Sequence, residues 1–578
     1  MSKESKDVKL RRHISKWQQV FIWVIAIAFI AGIALWALAV NYSPAAKKMK
    51  RTIEETVGYV TKDGTALKNE AYWVFPENVE EVYGNLLAQY GNPSLDPVIE
   101  EPYVKTLITV DLLNKKLMLY YAEVNKIKPD KNKIKEEVKK AIDEAKKDNA
   151  KLQQIKAQYG SLTNYEKELT RQKEEELTIQ AVKDKLGMVA DKEVQDYYNK
   201  NKQDIINKYT KAETSYVTFS TKEEMEKFVK SAMEKGVTQA ASEASLTMTD
   251  YTLNKGTLPK ELEKMIFDAT STLVSFPYNG TYFVFNVKSV QKVDTFENFK
   301  KSEAFNEILT NLKNEKFGEN FKKWKEENKV AFEIRDAVYK TWYEALTAEG
   351  KDLLTAYKKL YEQLFTKTEE VRTDIPAEQK AAFLVVADRI AASTDTSFDA
   401  VKKDVKEFEK KIVLSIYDQV KGSSLEILRR MKEYFPDKKD VAFDYYTKLY
   451  DTIKPYLSVG GAYIVMNQLF EVYQGFADLA EATNVDIKIR ADSYYKLYEM
   501  NKLLDDPKTA KDYLQKLKEL KPDYSINFDS AEKELEDMIK QKEAQATQQS
   551  TQTTNESTQT TNTSTQTTTK STQTANNR

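Results

Sequence analysis

VADKEVQDYYNKNKQDIINKYTKAETSYVTFS, residues 189–220, changes its hydrophobic period part-way along. Asp191 stands three residues before Val194, where a short polar side chain suits the N-cap of a helix over 193–202. From Thr214 the pattern alternates instead, with Tyr216 or Val217 and Phe219 apolar, as a half-buried strand requires. The chain therefore passes here from a helical region into a small α/β module.

The module occupies 211–290. Thr221 suits the cap of an amphipathic helix carrying Met225, Phe228, Val229 and Met233, and GTYFVFNV (280–287) has the aromatic and β-branched content of a buried strand. On its N-terminal side, 52–208 reads as mostly helical, apart from a strand, turn and strand over 59–67 that reverses at Asp63-Gly64. Leu112, Leu113, Leu117 and Tyr120 give 107–124 a helical apolar face. Pro129-Asp130 then opens a charged helix over 131–147, whose Lys and Glu read as a solvated face laced with i,i+4 pairs.

Beyond the module, 296–328 predicts one helix with Phe299, Ile308, Leu309, Leu312, Phe317, Phe321 and Trp324 along it. Such a face is too apolar to stand alone in water and needs cover from other elements. Residues 336–545 are almost wholly helix-periodic, broken at Gly350, Phe435-Pro436 and Gly460-Gly461. Tyr494, Leu497, Ala510, Leu514, Leu517 and Pro522 occupy places of a tetratricopeptide repeat, with Tyr498 where a small residue is usual. Leu428, Met431 and Pro436 are a weaker echo. One helix pair cannot bury its own face, so stacked pairs are expected. The tail 546–578 repeats STQT from Ser550, Ser557, Ser564 and Ser571; it has no apolar a and d positions for a coiled coil and reads as disordered.

Residues 20–40 (VFIWVIAIAFIAGIALWALAV) are free of charge and long enough for about 30 Å of hydrocarbon. Trp17, Trp23, Trp36 and Tyr42 lie at or near its ends, and Lys3, Lys6, Lys9, Arg11, Arg12 and Lys16 precede it. The expectation is a cytoplasmic tail at 1–17, a lipid-embedded anchor at 18–42 and a body outside the cytoplasm. A cleaved signal peptide is the competing reading, since Ala37-Leu38-Ala39 resembles a cleavage site, although signal cores usually run about 7–15 residues.

Function classes narrow by composition. Lysine plus arginine and aspartate plus glutamate number 89 each, so no net field draws nucleic acid. Cysteine is absent and His13, ahead of the apolar run, is the one histidine. That removes His-based triads, thiol chemistry and most zinc sites from the body. His13 itself reads as a solvated neighbour of Arg11 and Arg12. No phosphate loop, H-E-x-x-H or G-x-S-x-G occurs, so neither cofactor nor metal is expected.

Against that background the layout resembles the SurA/PpiD group of extracytoplasmic folding factors. Residues 59–67 stand where that group has its V-N-G-x-x-I strand-turn. DLLNKKLMLYYAEVNKIK (111–128) is similar to its helix ending A-x-x-x-G-I, and VADKEVQDYY (189–198) to its V-T-D-E-E-V-x-x-Y-Y. The likeness covers roughly 20–335. It implies a mainly α protein with a transmembrane helix, a SurA-N-like chaperone domain (45–210, with 291–335 returning to the helices near 112–119) and a degenerate parvulin-like module (211–290); the tetratricopeptide-like helical repeats read at 336–545 lie outside it. Tyr216 and Tyr282 fall in the places of the two parvulin histidines, and Asp250 near the cysteine place; strand tyrosines more commonly serve packing. Leu258, Leu262 and Phe267 keep the apolar proline pocket. Tyrosine cannot alternate between donor and acceptor nitrogens as imidazole does. The resemblance thus implies a chaperone in the bacterial inner membrane, its body periplasmic, receiving unfolded exported chains near the Sec translocon. Two alternatives stand beside it: an atypical prolyl cis-trans isomerase, and a scaffold that holds a protein partner on its repeats.

Overall fold

Asp63 and Gly64 both take positive φ, 50° and 74°. That is the backbone of a tight hairpin turn, and it folds the chain back on itself at once. Around such turns the computed structural model, which describes residues 51–91, 94–268 and 271–545, places eight strands among those residues. They are β1 (Gly58–Lys62), β2 (Thr65–Ala66), β3 (Trp73–Val74), β4 (Lys211–Phe219), β5 (Thr249–Asn254), β6 (Leu273–Tyr278), β7 (Thr281–Gln291) and β8 (Val330–Ile334). The tail 1–17, the span expected at 18–42 and the STQT tail lie outside the described residues. Within them no helix is long and apolar enough to cross a membrane.

Two antiparallel sheets result. In the first, β2 and β3 pair with β1, and β8 also pairs with β1 from Gly58↔Ile334 to Lys62↔Val330. Helix Glu100–Val124 packs on this sheet through buried Leu113 and Leu117. Helix Glu303–Glu327 joins the same core: Phe321 and Trp324 meet the Tyr121 ring at 6.4 and 4.8 Å. Helices Lys131–Lys147, Asn149–Tyr159 and Leu162–Leu186 form a separate small core around Ile134, Val138, Ile155 and Leu169.

Two expected boundaries shift. The helix expected over 296–328 is two, Phe296–Lys300 and Glu303–Glu327. Ser302 ends the first by donating from both its Oγ (2.6 Å) and its N–H (3.0 Å) to the Phe299 carbonyl, a local bond that competes with the helical ladder. The helix expected over 193–202 is Asp191–Lys200, with Asp191 inside it. The capping carboxylate is that of Glu193, which accepts from the Ala190 N–H at 2.7 Å.

From Ala337 to a final helix over 528–545 the chain is helical, with successive helices packed on one another around one continuous core. The pair Ile487–Leu503 and Pro507–Leu520 buries Ala491, Tyr494, Leu497, Ala510, Leu514 and Leu517, and Tyr498 is buried as well. An ionic network centred on the buried pair Arg430 and Glu409 holds helix Leu425–Tyr434: Arg430 reaches Glu409 at 2.5 Å, the half-buried Glu426 at 2.8 Å and the exposed Asp388 at 2.6 Å. Burial raises the Glu409 carboxyl, against the lowering charge of Arg430. This array is joined to the N-terminal part. Asp96 accepts from the Val98 and Ile99 N–H groups through one carboxylate oxygen, and from the Ser424 hydroxyl (2.7 Å) through the other.

Candidate substrate-binding face of the α/β module

β4 is the central strand on which the module is built, flanked by β5 and β7, in the order β5-β4-β7-β6. Side chains alternate across a sheet, and residues directly opposite in an antiparallel pair share a face. The register Tyr216↔Phe285 therefore puts these two rings together, and Phe276↔Phe283 adds the next strand. The Tyr216 ring lies 5.8 Å from Phe285, 6.0 Å from Phe283 and 6.4 Å from Tyr251 of β5. Phe283 and Phe285 stack at 5.9 Å. Tyr251 is exposed, whereas Tyr216, Phe276 and Phe283 are half-buried, so the rings form an aromatic floor open along one side.

Helix Lys260–Phe267 lies over the remainder of this face. Its Leu262, Ile266 and Phe267 are buried against Ala212, Leu253, Val274 and Phe285, and Leu258 is half-buried at the edge. Glu263 fixes the approach to the helix by accepting from the Gly256 and Leu258 N–H groups. Gly256 is required there: its φ is +85°, and a Cβ would come within 3.2 Å of the Asn207 backbone oxygen.

The opposite face is different. Val217 and Val284 bury against helix Lys222–Lys235 through Met225 and Phe228, with Tyr282 and Phe219 at the edge. Thr221 caps that helix, its hydroxyl accepting from the Glu224 N–H at 3.3 Å. Toward the other end a 450 Å³ cavity is lined by Ser215, Val237, Thr238, Asp250, Asn286 and Lys288. Asp250 there is spent on an exposed ion pair with Lys288, at 2.5 Å.

The structure thus divides the expected site residues. Tyr216, Leu258, Leu262 and Phe267 share one face. Tyr282 and Asp250 lie on the other, because Tyr282 pairs with Phe219 and Asp250 with Ser215, each an odd number of residues from Tyr216 along β4. Tyr216 and Tyr282 cannot act on one substrate group together. Leu262 and Phe267, at 6% and 2% exposure, lie in the core between their helix and this face of the sheet. Phe283, Phe285 and Tyr251, which complete the floor, were not among the expected residues. In FVF both alternating positions are apolar, so the sequence alone does not say which face each ring takes. Among the described residues, no group of three His, Cys, Asp or Glu side chains is placed to hold a metal ion.

The module's ends are latched together. The Tyr198 hydroxyl donates to the Val293 carbonyl at 2.9 Å, and its ring stacks on Phe299 at 5.0 Å. Entry and exit segments therefore belong to the same unit, which extends beyond the sheet on both sides. Comparison with known proteins marks the same extent. Residues 189–301 match the family model of the PPIC-type PPIase domain. Among solved structures, a crystal structure of the foldase protein PrsA from Lactococcus lactis is similar over 49% of this chain and 96% of that one, at 12% identity and a TM-score of 0.22. No curated protein matches the chain. Residues 189–301, with their latched ends and four-stranded sheet, are thus the part of this chain that is similar to the PPIC-type PPIase domain.

Proposed function

We propose that this protein is a membrane-tethered extracytoplasmic folding factor that holds unfolded exported polypeptides without appreciable prolyl isomerase activity. The observation that carries the reading is the aromatic floor of Tyr216, Tyr251 and Phe283, which rests on the buried ring of Phe285. It offers apolar contact to a passing chain, while the body holds no imidazole or thiol to complete a polar network at a twisting amide. Apolar contact of this kind is tolerant of client sequence, and its strength follows area at about 25 cal/mol per Å² less the cost of ordering. A second opening lies in the N-terminal part: a 520 Å³ cavity whose lining mixes the apolar Tyr72, Leu119, Ala122 and Ile127 with the charged Glu123, Lys128, Lys131 and Glu174, a surface that could hold an amphipathic segment. In this reading residues 18–42 keep the body at the membrane near the translocon, and the C-terminal helices dock a protein partner.

Two assays on the full chain test it. With a proline-containing peptide, the uncatalysed exchange takes tens to hundreds of seconds, and the protein should leave it nearly unchanged. With a chemically unfolded client, it should suppress aggregation at near-stoichiometric amounts. Strong isomerase activity would move the assignment to an atypical enzyme; failure in both assays would leave the scaffold reading.

A further inference from the structure

The C-terminal array carries an apolar surface that neither the parvulin-type module nor the holding role uses. Of the fifteen exposed large apolar side chains among the described residues, six fall between 456 and 470. They are Tyr456 (44% exposed), Val459 (80%), Tyr463 (76%), Ile464 (58%), Met466 (55%) and Phe470 (72%). The segment joins helix Lys439–Ser458 to helix Met466–Glu481 by way of Gly460-Gly461 and a 3-10 turn at Ala462–Val465. Leu457, Val465 and Leu469 point inward and anchor it. Gly461 lies between Tyr456 and Ile464, a Cβ there reaching both, and Tyr463, Met466 and Phe470 follow at helical spacing.

We infer that residues 455–470 form a self-association surface through which two copies of this chain meet about a two-fold axis. The first ground is area. Side chains of this size at these exposures present on the order of 700 Å², when a monomer's largest apolar patch is about 300–600 Å² and a standard interface takes about 800 Å² per partner. The second is charge. PYLSVGGAYIVMNQLF carries none, in a chain 31% charged. A two-fold contact sets a patch against itself, and like charges directly opposed would weaken it; this patch has none to oppose. Its flanking charges are of opposite sign, and each has a partner in its own chain: Lys454 with Glu499 and Glu471 with Lys432. The third is composition, since Tyr, Phe and Met are the side chains that protein interfaces enrich.

The absence of cysteine makes the test clean. Val459→Cys and Tyr463→Cys, each made in the full chain in detergent, should give a covalent dimer with a short bis-maleimide. Lys323→Cys, exposed on the N-terminal part, should give none. Adding Phe470→Asp should cut the cross-linked fraction by at least about tenfold. Because Phe470 is 72% exposed, the variant should keep its helical circular dichroism; should it not fold, the two single-cysteine variants decide alone. Absence of cross-linking at both 459 and 463, with a monomer mass by light scattering, would overturn the proposal. So would a monomeric Tyr463→Cys variant whose thiol-attached fluorophore shifts to the blue on adding phosphatidylcholine vesicles, or on adding a reduced unfolded protein. Those outcomes would make the occupant a lipid surface or a client.

Discussion

The two sheets of this protein are built from the chain in opposite ways. The module's sheet, β5-β4-β7-β6, takes all its strands from residues 211–291. The N-terminal sheet takes its longest pairing, β1 with β8, from segments 270 residues apart, as the Thr61 hydroxyl donating to the Ala331 carbonyl marks. The first is a self-contained insertion; the second is a clasp that closes only when the chain has returned. Location in sequence therefore says little about which parts stand or fall together.

The contrast predicts its largest effect for deletions. Lys211 and Gln291 are directly paired, so replacing 212–290 by a short Gly-Ser linker should leave the remainder folded, with one cooperative transition by circular dichroism. Removing 330–334 should instead unfold the N-terminal part, because β1 loses its five-residue partner and Val330 and Ile334 leave its core. If the two deletions behaved alike, the distinction would fail. A point substitution sharpens it: Phe285→Ala, at a site 6% exposed, should cost the module about 3–5 kcal/mol. Amide exchange should then quicken in β4 and β7 while β1 and β8 keep their protection.

On the other side of the comparison, a Cβ at Gly58 would stand 2.7 Å from the Glu333 carbonyl oxygen and 2.9 Å from a Leu113 methyl. Gly58→Ala should destabilise the N-terminal sheet by about 1–3 kcal/mol in denaturant titration, through overpacking of the clasp. A neutral result would show that the strand has room to move. The smallest effect is expected where the two units meet. Glu193, at the entry to the module, accepts hydrogen bonds from Lys316 and from the Ala190 N–H, and these hold its carboxyl below the ordinary 4.5. The folded value is the depressed one. The stabilisation is therefore full above 4.5 and is lost as pH falls through the folded value. Glu193→Gln should flatten the acid limb of the urea midpoint between pH 5 and pH 3 and leave the midpoint at higher pH slightly lowered; an unchanged limb would mean the pair contributes nothing.

What the residues disclosed in advance follows the range of the forces involved. The mainly α class with one small α/β module was legible, because periodicity and caps are local: Thr221, the turn at Asp63-Gly64 and the alternation through Tyr216 all act within a few residues. The return of Phe321 and Trp324 could be argued from an apolar face needing cover together with the layout of the family the sequence resembles. Strand β8 could not, since VAFEI names no partner and its partner lies far back in the chain. The facing of the candidate residues was not legible, because parity along a strand is not written in residue type. Tyr216 and Tyr282 both suited motif places, but side-chain facing in a sheet has a period of two, so an offset of one residue moves a ring to the other face. The pairing of Phe219 with Tyr282 settles that parity, and it is a long-range fact.

The clasp between β1 and β8 also sets a clock. At synthesis rates of about 5–20 residues per second, a partner 270 residues downstream arrives roughly 15–50 s after β1 itself. The hairpin at Asp63-Gly64 can close in microseconds, yet one edge of β1 then waits unpaired, in the state most prone to join another strand. During that interval the newborn chain presents the same kind of hazard as the polypeptides it is proposed to hold, and a finished copy standing nearby would be the first protector it could meet.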